Sequence, residues 1–389
     1  MKTPINLFLL PSLILLSLSA SVSFAYYNLS PKGFNEGLLG NNGIALDASV
    51  GANVYNPAGL NGLEKSNFSA ATSVLSITQF SVGSSQLSDR SPPPNFKSSS
   101  AYLMNQIQVG GHFVSFYFSN EIDIQVSKYF LVDILGTQTA ANVESSVGNS
   151  KFGVTYAGNF SENFFYGISP TIHLVNTKNL RLSKSQTASA TGSDYDLESV
   201  NETAISIRLG GLYKLEKINF GFYVEPQGQA MSSSRTEDNL YISTDGTVLD
   251  KSNSTSYSYR SPMQYGLGIK YSFAENHFVV IDLDKIERSD QPGNQDEKGP
   301  LGTSQGIGYQ WQYSKETGLM TGFKYSEVRD YGKDLNLTLL TYMNIGVSTK
   351  VKFLTNLLNL FNSKYEAIQG SGSSSIENTG ISFATSYSY

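Results

Sequence analysis

Seven charged residues occupy alternate positions within apolar, strand-like stretches, and they are the first candidates for chemistry. They are Lys151, Arg208, Glu225, Lys270, Asp282, Asp284 and Lys324. Successive side chains of a strand point to opposite sides, so alternation places these charges on the face opposite the apolar residues. On such a face Lys and Arg can bind a carboxylate, and Asp and Glu can pair with those bases. The set predicts either a site for a ligand or a network of ion pairs within a wall.

The histidines and serines give little support for catalysis. His112, His173 and His277 lie in separate predicted strands and lack metal-binding spacing such as HExxH. A hydrolase would need a serine and a histidine on one face, and His173 is predicted to share the face of the charged set. A phospholipase is therefore an alternative, although no motif supports it. We expect no catalytic residue, no metal and no cofactor.

The elements that position these residues are about fourteen segments in which apolar and polar residues alternate. The predicted strands are 67–80, 109–118, 121–135, 149–160, 164–177, 202–215, 218–231, 256–273, 277–288, 303–313, 317–330, 337–349, 355–367 and 378–389. Bacterial membrane barrels have an even number of strands, which this count satisfies.

The connections between the segments alternate in length. Short ones are predicted at 119–120, 161–163, 216–217, 274–276 and 314–316, and long polar ones at 81–108, 136–148, 178–201, 232–255, 289–302 and 368–377. Outer-membrane barrels alternate short periplasmic turns with long external loops. The pattern favours an all-β fold, a transmembrane antiparallel β-barrel, over a soluble all-β protein.

Composition agrees with this fold class. Charged residues make up only 15% of the 389, whereas Gly (35), Tyr (24) and Phe (22) are abundant. The absence of Cys excludes disulfides and thiolate metal sites. The net charge of −5 gives no footprint for nucleic acid. The mean hydropathy is −0.20, and no apolar run beyond the N-terminus is long enough for a spanning helix.

Alternation also predicts which residues face lipid and which face the lumen. Those predicted to face lipid include Ile205, Ile207, Leu209, Leu267 and Ile269, and those predicted to face the lumen include Ser206, Arg208, Gly268 and Lys270. A Lys or Arg on the lipid face near the midplane costs about 2–4 kcal/mol. The charged set is therefore assigned to the lumen.

The turn at 216–217 predicts one specific pair. If these two residues form a hairpin turn, Arg208 lies directly opposite Glu225 on the next strand. The planar guanidinium of Arg suits a carboxylate, so we predict an ion pair that neutralises itself.

The two lumenal lysines differ in their expected partners. Lys270 has Asp282 opposite or diagonal to it across the next hairpin. Lys324 has no acidic neighbour in the adjoining predicted strand 303–313. We therefore predict that Lys324 is available to the carboxylate of a ligand.

The N-terminus has the features of a secretory signal over residues 1–25. Lys2 supplies the positive charge, residues 5–18 are apolar, and residues 23–25 form a small-x-small cleavage site. An uncleaved anchor is disfavoured because the apolar run is short and Pro11 interrupts it.

Residues 37–60 form a weakly charged, Gly-rich segment between this signal and the first strand. Asp47 is its only charge, and it has neither a strand period nor a helix period. Its glycines permit close packing and sharp turns, and Asn56-Pro57 is a turn signal. We interpret the segment as a plug held inside the barrel, and the alternative is a Gly-rich lead-in to the first strand.

The same segment resembles the N-terminal hatch of the FadL family, outer-membrane transporters of long-chain fatty acids and other hydrophobic molecules. The matching residues are Gly40-Asn41-Asn42-Gly43-Ile44-Ala45, Asp47-Ala48 and Val54-Tyr55-Asn56-Pro57-Ala58-Gly59-Leu60. Residues 261–268, followed by Asp282, are similar to a barrel segment of that family.

The resemblance implies a hatch over 26–66 inside a barrel over 67–389, and passive uptake of long-chain fatty acids or aromatic hydrocarbons. It further implies a lumenal site, and release through hatch rearrangement and a side opening in the wall. The predicted strand 121–135 has no Gly or Pro to mark such an opening. The candidate site residues of the hatch are Gly40, Gly43, Asp47, Asn56, Pro57 and Ala58.

The expected partners are hydrophobic small molecules such as long-chain fatty acids, outer-membrane lipids and the outer-membrane assembly machinery, with no nucleic acid. Alternating residues up to the C-terminal Tyr389 resemble the signal which that machinery recognises. The expected location is the outer membrane of a Gram-negative bacterium. A structural or adhesive barrel without a transport substrate remains the alternative.

Overall fold

The computed structural model describes residues 35–63, 66–83, 95–98, 101–134, 137–186, 191–243, 248–255, 262–287, 301–331, 335–369 and 372–389. The signal predicted at 1–25 lies outside the described residues. So do the first part of the predicted hatch, 26–34, and most of the predicted loop 289–302.

Strand segments make up most of the described chain. They are β1 (Asn67–Gly83), β2 (Asn95–Ser98), β3 (Ala101–Val109), β4 (His112–Ile134), β5 (Thr137–Asn159), β6 (Phe164–Gln186), β7 (Thr191–Lys214), β8 (Ile218–Glu225), β9 (Gln229–Ser243), β10 (Val248–Thr255), β11 (Gln264–Ala274), β12 (His277–Ile286), β13 (Leu301–Gln312), β14 (Thr317–Tyr331), β15 (Leu335–Val351), β16 (Leu354–Gln369) and β17 (Gly372–Ser388). Their abundance of aromatic and β-branched residues suits a pleated surface that is half buried.

The segments form one closed antiparallel barrel, because β1 pairs with β17 as well as with β3. Three strands are interrupted. Segments β2 and β3 both pair with β4, β8 and β9 both pair with β7, and β10 and β11 continue one strand beside them. Counting each interrupted strand once gives the fourteen strands of the closed barrel. The predicted fold class is confirmed.

The predicted division of the second and third strands is wrong. Residues 109–118 and 121–135 were assigned to two strands joined at 119–120, but β4 runs through this turn as one strand. The turn lies instead at 110–111, where Gly110 has a φ of 63°. The second strand comes from β2 and β3, inside the predicted loop 81–108. The register of β4 shifts between Asn120 and Ile122, which is a bulge at Glu121.

Most of the predicted long loops are also wrong, because the strands continue through them. Residues 136–148, 178–201, 232–255 and 368–377 are largely strand. Most residues of these extensions are polar, so a sustained apolar alternation is lost although the hydrogen-bonded ladder continues. Alternation reports burial on one face and not strand length. The short turns all lie at one end of the barrel, which is called the short-turn end below.

The predicted facing is confirmed. The five residues assigned to lipid, among them Ile207 and Leu267, are 39–63% exposed on the outer surface, whereas Ser206 is 3% exposed. Aromatic side chains cluster on the outer surface near the short-turn end, where His277 stacks on Trp311 at 5.9 Å between ring centroids. Aromatic girdles of this kind flank the apolar band of membrane barrels.

Two short helices precede the barrel in the part of the N-terminal region that the structure describes. The first is α1 (Asn35–Leu38), and the second is a 3₁₀ helix, Pro57–Gly62. No helix among the described residues is long and apolar enough to cross a membrane.

Candidate functional site

Residues 35–63, called the hatch below, fill the interior of the barrel near the short-turn end. Almost all of their side chains from Glu36 to Leu60 are buried. Two hydrogen bonds fold the segment onto itself. Glu36 Oε1 accepts the Gly51 amide at 3.1 Å, and the Tyr55 hydroxyl donates to Asn41 Oδ1 at 3.1 Å. The segment predicted to plug the barrel therefore lies inside it.

Asn56 joins three parts of the structure. Its Oδ1 accepts the Ala58 amide at 3.1 Å and so caps the 3₁₀ helix, which Pro57 begins. Its Nδ2 donates to the Ile44 carbonyl at 2.7 Å and to the Gly211 carbonyl at 3.0 Å. Asn56 thus ties the two halves of the hatch to each other and to strand β7.

Asp47 connects the hatch to the wall by ion pairs. Its Oδ1 lies 2.6 Å from Lys270 Nζ, and its Oδ2 lies 2.8 Å from Lys214 Nζ. Asn219 adds a hydrogen bond to Oδ1 at 3.0 Å. Burial alone would raise the pKa of Asp47, but Lys270 and Lys214 outweigh it and hold that pKa below its ordinary value. Lys270 therefore pairs with Asp47, and the prediction that it pairs with Asp282 is wrong.

Asp282 instead holds the hatch backbone. It is fully buried, and its Oδ2 accepts the amides of Gly43 at 2.6 Å and Ile44 at 3.0 Å. Asp282 lies opposite Gly268 on β11, not opposite Lys270. Asp282 thereby satisfies two amide donors of the hatch that burial would otherwise leave unpaired. The hatch and the wall each contribute one acidic side chain to this part of the interface, Asp47 from the hatch and Asp282 from the wall.

Glycines of the wall allow the hatch backbone to lie directly against the barrel. At Gly322 a Cβ atom would overlap the backbone of Leu39 and Gly40, and Gly40 itself has a φ of 75°. At Gly221 a Cβ atom would overlap the Ile44 carbonyl. The other wall glycines that face the hatch are Gly167, Gly210, Gly266, Gly268, Gly306, Gly308 and Gly346. Together they form a glycine belt on the inner surface from β6 to β15.

Arg208 and Glu225 form the predicted ion pair. Arg208 Nε and Nη2 donate to Glu225 Oε2 at 2.8 and 2.6 Å. The registry of β7 with β8 runs from Leu209 with Val224 to Lys214 with Asn219, as the turn at 216–217 predicts. The guanidinium also lies 4.6 Å from the centre of the Tyr223 ring and donates to the Tyr55 carbonyl at 3.4 Å. The predicted pairing is confirmed.

A serine and a histidine do meet beside this pair. His173 Nε2 and Ser206 Oγ lie 2.7 Å apart. Glu225 approaches the same ring nitrogen at 3.7 Å, whereas a catalytic triad places its acid on Nδ1. These side chains form part of a polar network around Arg208. Within the described ranges, no group of three or more His, Asp or Glu side chains could hold a metal ion.

Lys324 has an acidic partner, so the prediction that it is available to a ligand is wrong. Its Nζ lies 2.6 Å from Asp284 Oδ2 and 3.3 Å from the Asn41 carbonyl. Asp284 belongs to β12, which is separated from Lys324 on β14 by strand β13. Lys324 reaches it because Gly306 is its opposite residue on β13 and presents no side chain. Pairing between adjoining strands alone does not reveal a contact of this kind, because strand β13 separates the two residues.

A cavity that is partly open to solvent lies above the hatch, on the side away from the short turns, and its empty space, counted with that open part, is about 700 Å³. Six of its lining residues are apolar or aromatic: Val54, Tyr55, Tyr223, Ile286, Leu340 and Tyr342. Its polar lining comprises Asn41, Arg208, Gln264, Asp284, Ser304, Lys324 and Ser326. We call this space the main cavity. Apolar side chains beside convergent polar groups are found together in small-molecule sites.

A smaller polar cavity of about 230 Å³ adjoins it at Val54 and Arg208. Its lining includes Lys151, His173 and Glu225. Of the predicted lumenal set, the structure therefore brings Arg208, Asp284 and Lys324 to the main cavity and Lys151 to the smaller one. Lys270 and Asp282 contact the hatch instead.

The barrel and hatch are similar to several solved structures. The toluene transporter TodX of Pseudomonas putida aligns at a TM-score of 0.69 and 14% identity, over 93% of this chain and 99% of that chain. The Ralstonia pickettii toluene transporter TbuX gives 0.63 and 15%, with the same two coverages. A Pseudomonas aeruginosa FadL homologue gives 0.66 and 9%, again over 93% and 99%. No protein-family model and no curated protein matches the chain. Identities this low establish the fold alone.

Proposed function

We propose that this protein is an outer-membrane channel for the passive uptake of hydrophobic small molecules. The observation that carries the proposal is the main cavity, which has apolar or aromatic side chains at six of its thirteen lining positions and lies directly on a hatch that fills the barrel. An open water-filled pore would serve polar solutes. A plugged barrel whose cavity carries a patch of apolar and aromatic side chains instead offers a binding step to molecules that water excludes.

The outer surface supports the membrane location. Its apolar side chains alternate with lumenal polar ones, and its aromatic cluster lies near the short-turn end. Short turns face the periplasm in outer-membrane barrels, so we place the hatch at that side. The solved structures with this fold include channels described as toluene transporters and a FadL homologue.

We further propose that release occurs through the wall beside β2, β3 and β4. Strand β4 bulges at Glu121, and β2 and β3 meet it on either side of that bulge. Among the described residues, β1 pairs with β3 only from Asn67 to Thr72. Interrupted pairing is where a wall can open at least cost, since fewer ladder hydrogen bonds must break.

Uptake by cells tests the function. Cells that lack their own hydrophobic-compound channel would express this chain, and uptake of labelled toluene and labelled fatty acid would be compared with an empty vector. The blocked variant is Ser326→Trp, which fills the main cavity, and its matched control is Ile345→Trp on the outer surface. We expect wild type and Ile345→Trp to raise uptake and Ser326→Trp to abolish the gain.

Two outcomes would contradict the proposal. Uptake equal to the empty vector, with the folded protein present in the outer-membrane fraction, would favour a structural or adhesive barrel. Uptake unaffected by a folded Ser326→Trp would place the route outside the main cavity. Heat modifiability on a gel, in which folded barrels migrate differently from unfolded ones, reports folding in each case.

A further inference from the structure

We infer that the main cavity selects uncharged hydrophobic molecules against carboxylates, and that Asp284 sets this selectivity. The inference rests on the proposed function and names the class of ligand. It is the opposite of the prediction from the sequence, that Lys324 is available to bind the carboxylate of a ligand.

The charges of the main cavity neutralise each other. Lys324 lies 2.6 Å from Asp284, and Arg208 lies 2.6 Å from Glu225. The side chains of Lys324 and Asp284 are only 17% and 15% exposed, and those of Arg208 and Glu225 are 10% and 6% exposed. Water therefore screens these pairs weakly, and each pair presents almost no net charge to a ligand.

Asp284 is held in place by more than its lysine. Tyr223 donates to its Oδ1 at 3.0 Å, and Ser304 donates to its Oδ2 at 3.3 Å. Lys324 is oriented as well, because it donates to the Asn41 carbonyl of the hatch. A charged ligand therefore meets an ion pair whose two members are both held in position by further hydrogen bonds.

A carboxylate gains little from such a cavity. A carboxylate that approaches Lys324 also approaches Asp284, whose Oδ2 lies 2.6 Å from the same Nζ, with buried Asp282 two residues away on the same strand. Two like charges this close together in a weakly screened cavity repel each other. An uncharged ligand has no such conflict. It can pack on Val54, Tyr55, Leu340 and Tyr342 while both ion pairs stay intact.

The test compares a fatty acid with its own methyl ester, which differ in charge and hardly in length. Purified protein in detergent would bind tritiated palmitate or tritiated methyl palmitate at pH 8, with Ser326→Trp as the background for binding outside the cavity. We expect wild type to bind the ester at least about tenfold more tightly than the acid, a difference that a single unfavourable charge contact readily supplies.

Asp284→Asn should convert the selectivity. The change keeps the shape of the side chain but releases Lys324 from its ion pair, so acid affinity should rise about tenfold while ester affinity changes little. The matched control is the double variant Asp284→Asn with Lys324→Met, in which the gain for the acid should disappear. Tyr223→Phe removes only one hydrogen bond to Asp284 and should give a smaller shift in the same direction.

The outcomes separate this inference from the proposed function. Equal affinity of wild type for acid and ester would overturn the inference and leave the channel intact. No gain of acid binding in a folded Asp284→Asn would overturn the role of Asp284. If wild type binds neither ligand above the Ser326→Trp background and gives no uptake in cells, the proposed function fails with it. The comparison in wild type needs no variant, so a misfolded variant does not remove the test.

Discussion

Arg208 pairs with Glu225 through their side chains at a gap in the backbone pairing of their two strands. Among the described residues, this is the place where the ladder of hydrogen bonds between them is interrupted. Strand β7 pairs with β8 from Leu209 onward and with β9 up to Ile205, so residues 206–208 have no ladder partner there. Pro226 follows Glu225 and has no amide hydrogen to donate. The side-chain ion pair therefore closes the wall where the backbone does not.

Removing one partner of this pair should destabilise the barrel. Arg208→Met leaves Glu225 charged and buried at 4% exposure, and the loss of a partner from a buried pair costs about 3–5 kcal/mol. The double variant Arg208→Met with Glu225→Leu should recover most of the loss, because no charge is then unpaired. Urea unfolding in detergent, followed by tryptophan fluorescence, measures both. A double variant as unstable as the single one would show that packing, not charge, dominates.

The ion pairs of Asp47 should keep the hatch seated. Asp47→Asn removes the charge that Lys214 and Lys270 share, so we expect a severalfold higher conductance in planar bilayers with the barrel still folded. The matched control is Glu216→Gln in the exposed turn, which should leave conductance unchanged. Unchanged conductance in Asp47→Asn would mean that the remaining contacts suffice.

The same carboxyl predicts a pH dependence. A carboxyl whose pKa is lowered on folding stabilises the folded state above its ordinary pKa, 3.8 for Asp47, and this contribution is lost as the pH falls through the lowered value. We therefore expect the stabilisation of the hatch by the Asp47 ion pairs to be constant from pH 8 to about pH 5. It should weaken only in stronger acid. A conductance rise near pH 6 in wild type that Asp47→Asn lacks would contradict this assignment.

The glycine belt predicts that a single methyl group displaces the hatch. In a chain without Cys, Ser49→Cys introduces a thiol at a hatch position that is 1% exposed. Adding Gly322→Ala should greatly accelerate its reaction with a membrane-impermeant maleimide, because the new Cβ overlaps hatch backbone. Gly111→Ala is the control, since nothing lies within 4 Å of a Cβ there. Equal labelling rates in the two variants would show that the wall adjusts instead.

Asn56 should matter for uptake more than for folding. Asn56→Asp replaces the amide that donates to Ile44 and Gly211 with a carboxylate that faces both carbonyls, so the hatch should loosen and uptake should fall. Asn56→Ala and Pro57→Ala should be milder. Membrane insertion should persist, because strand pairing does not involve these side chains.

Asn276→Asp in an exposed turn is the control. Disappearance of the folded band would make the motif structural instead.

The sequence predicts those features that depend on neighbouring strands. Alternation gives the fold class and the facing of Ile207 and Leu267, and a two-residue turn gives Arg208 its partner Glu225. Strand ends cannot be predicted where polar residues dominate a strand. The turn at 110–111 escapes prediction because another turn signal, Ser119-Asn120, lies inside β4, where the strand continues across a bulge.

Contacts across the lumen could not be predicted from pairing rules. Asp47 and Asp282 bind partners that depend on how the hatch folds, and Lys324 reaches past a strand because Gly306 leaves room. The sequence does contain a pattern that points to these contacts. Glycines that face the lumen recur at the same height on neighbouring strands, and a wall surface without side chains indicates that another backbone packs against it.

Barrel closure brings the two ends of the barrel chain together, since the Tyr389 amide donates to the Ser66 carbonyl at 3.0 Å beside the seam of β1 and β17. The hatch contacts the wall from β3 to β15, so it occupies the interior that this seam encloses. Protein chains are not threaded through closed rings. The order of assembly follows: the curled sheet must gather around the N-terminal segment first, and the last strand completes the cylinder only when that segment is already within it.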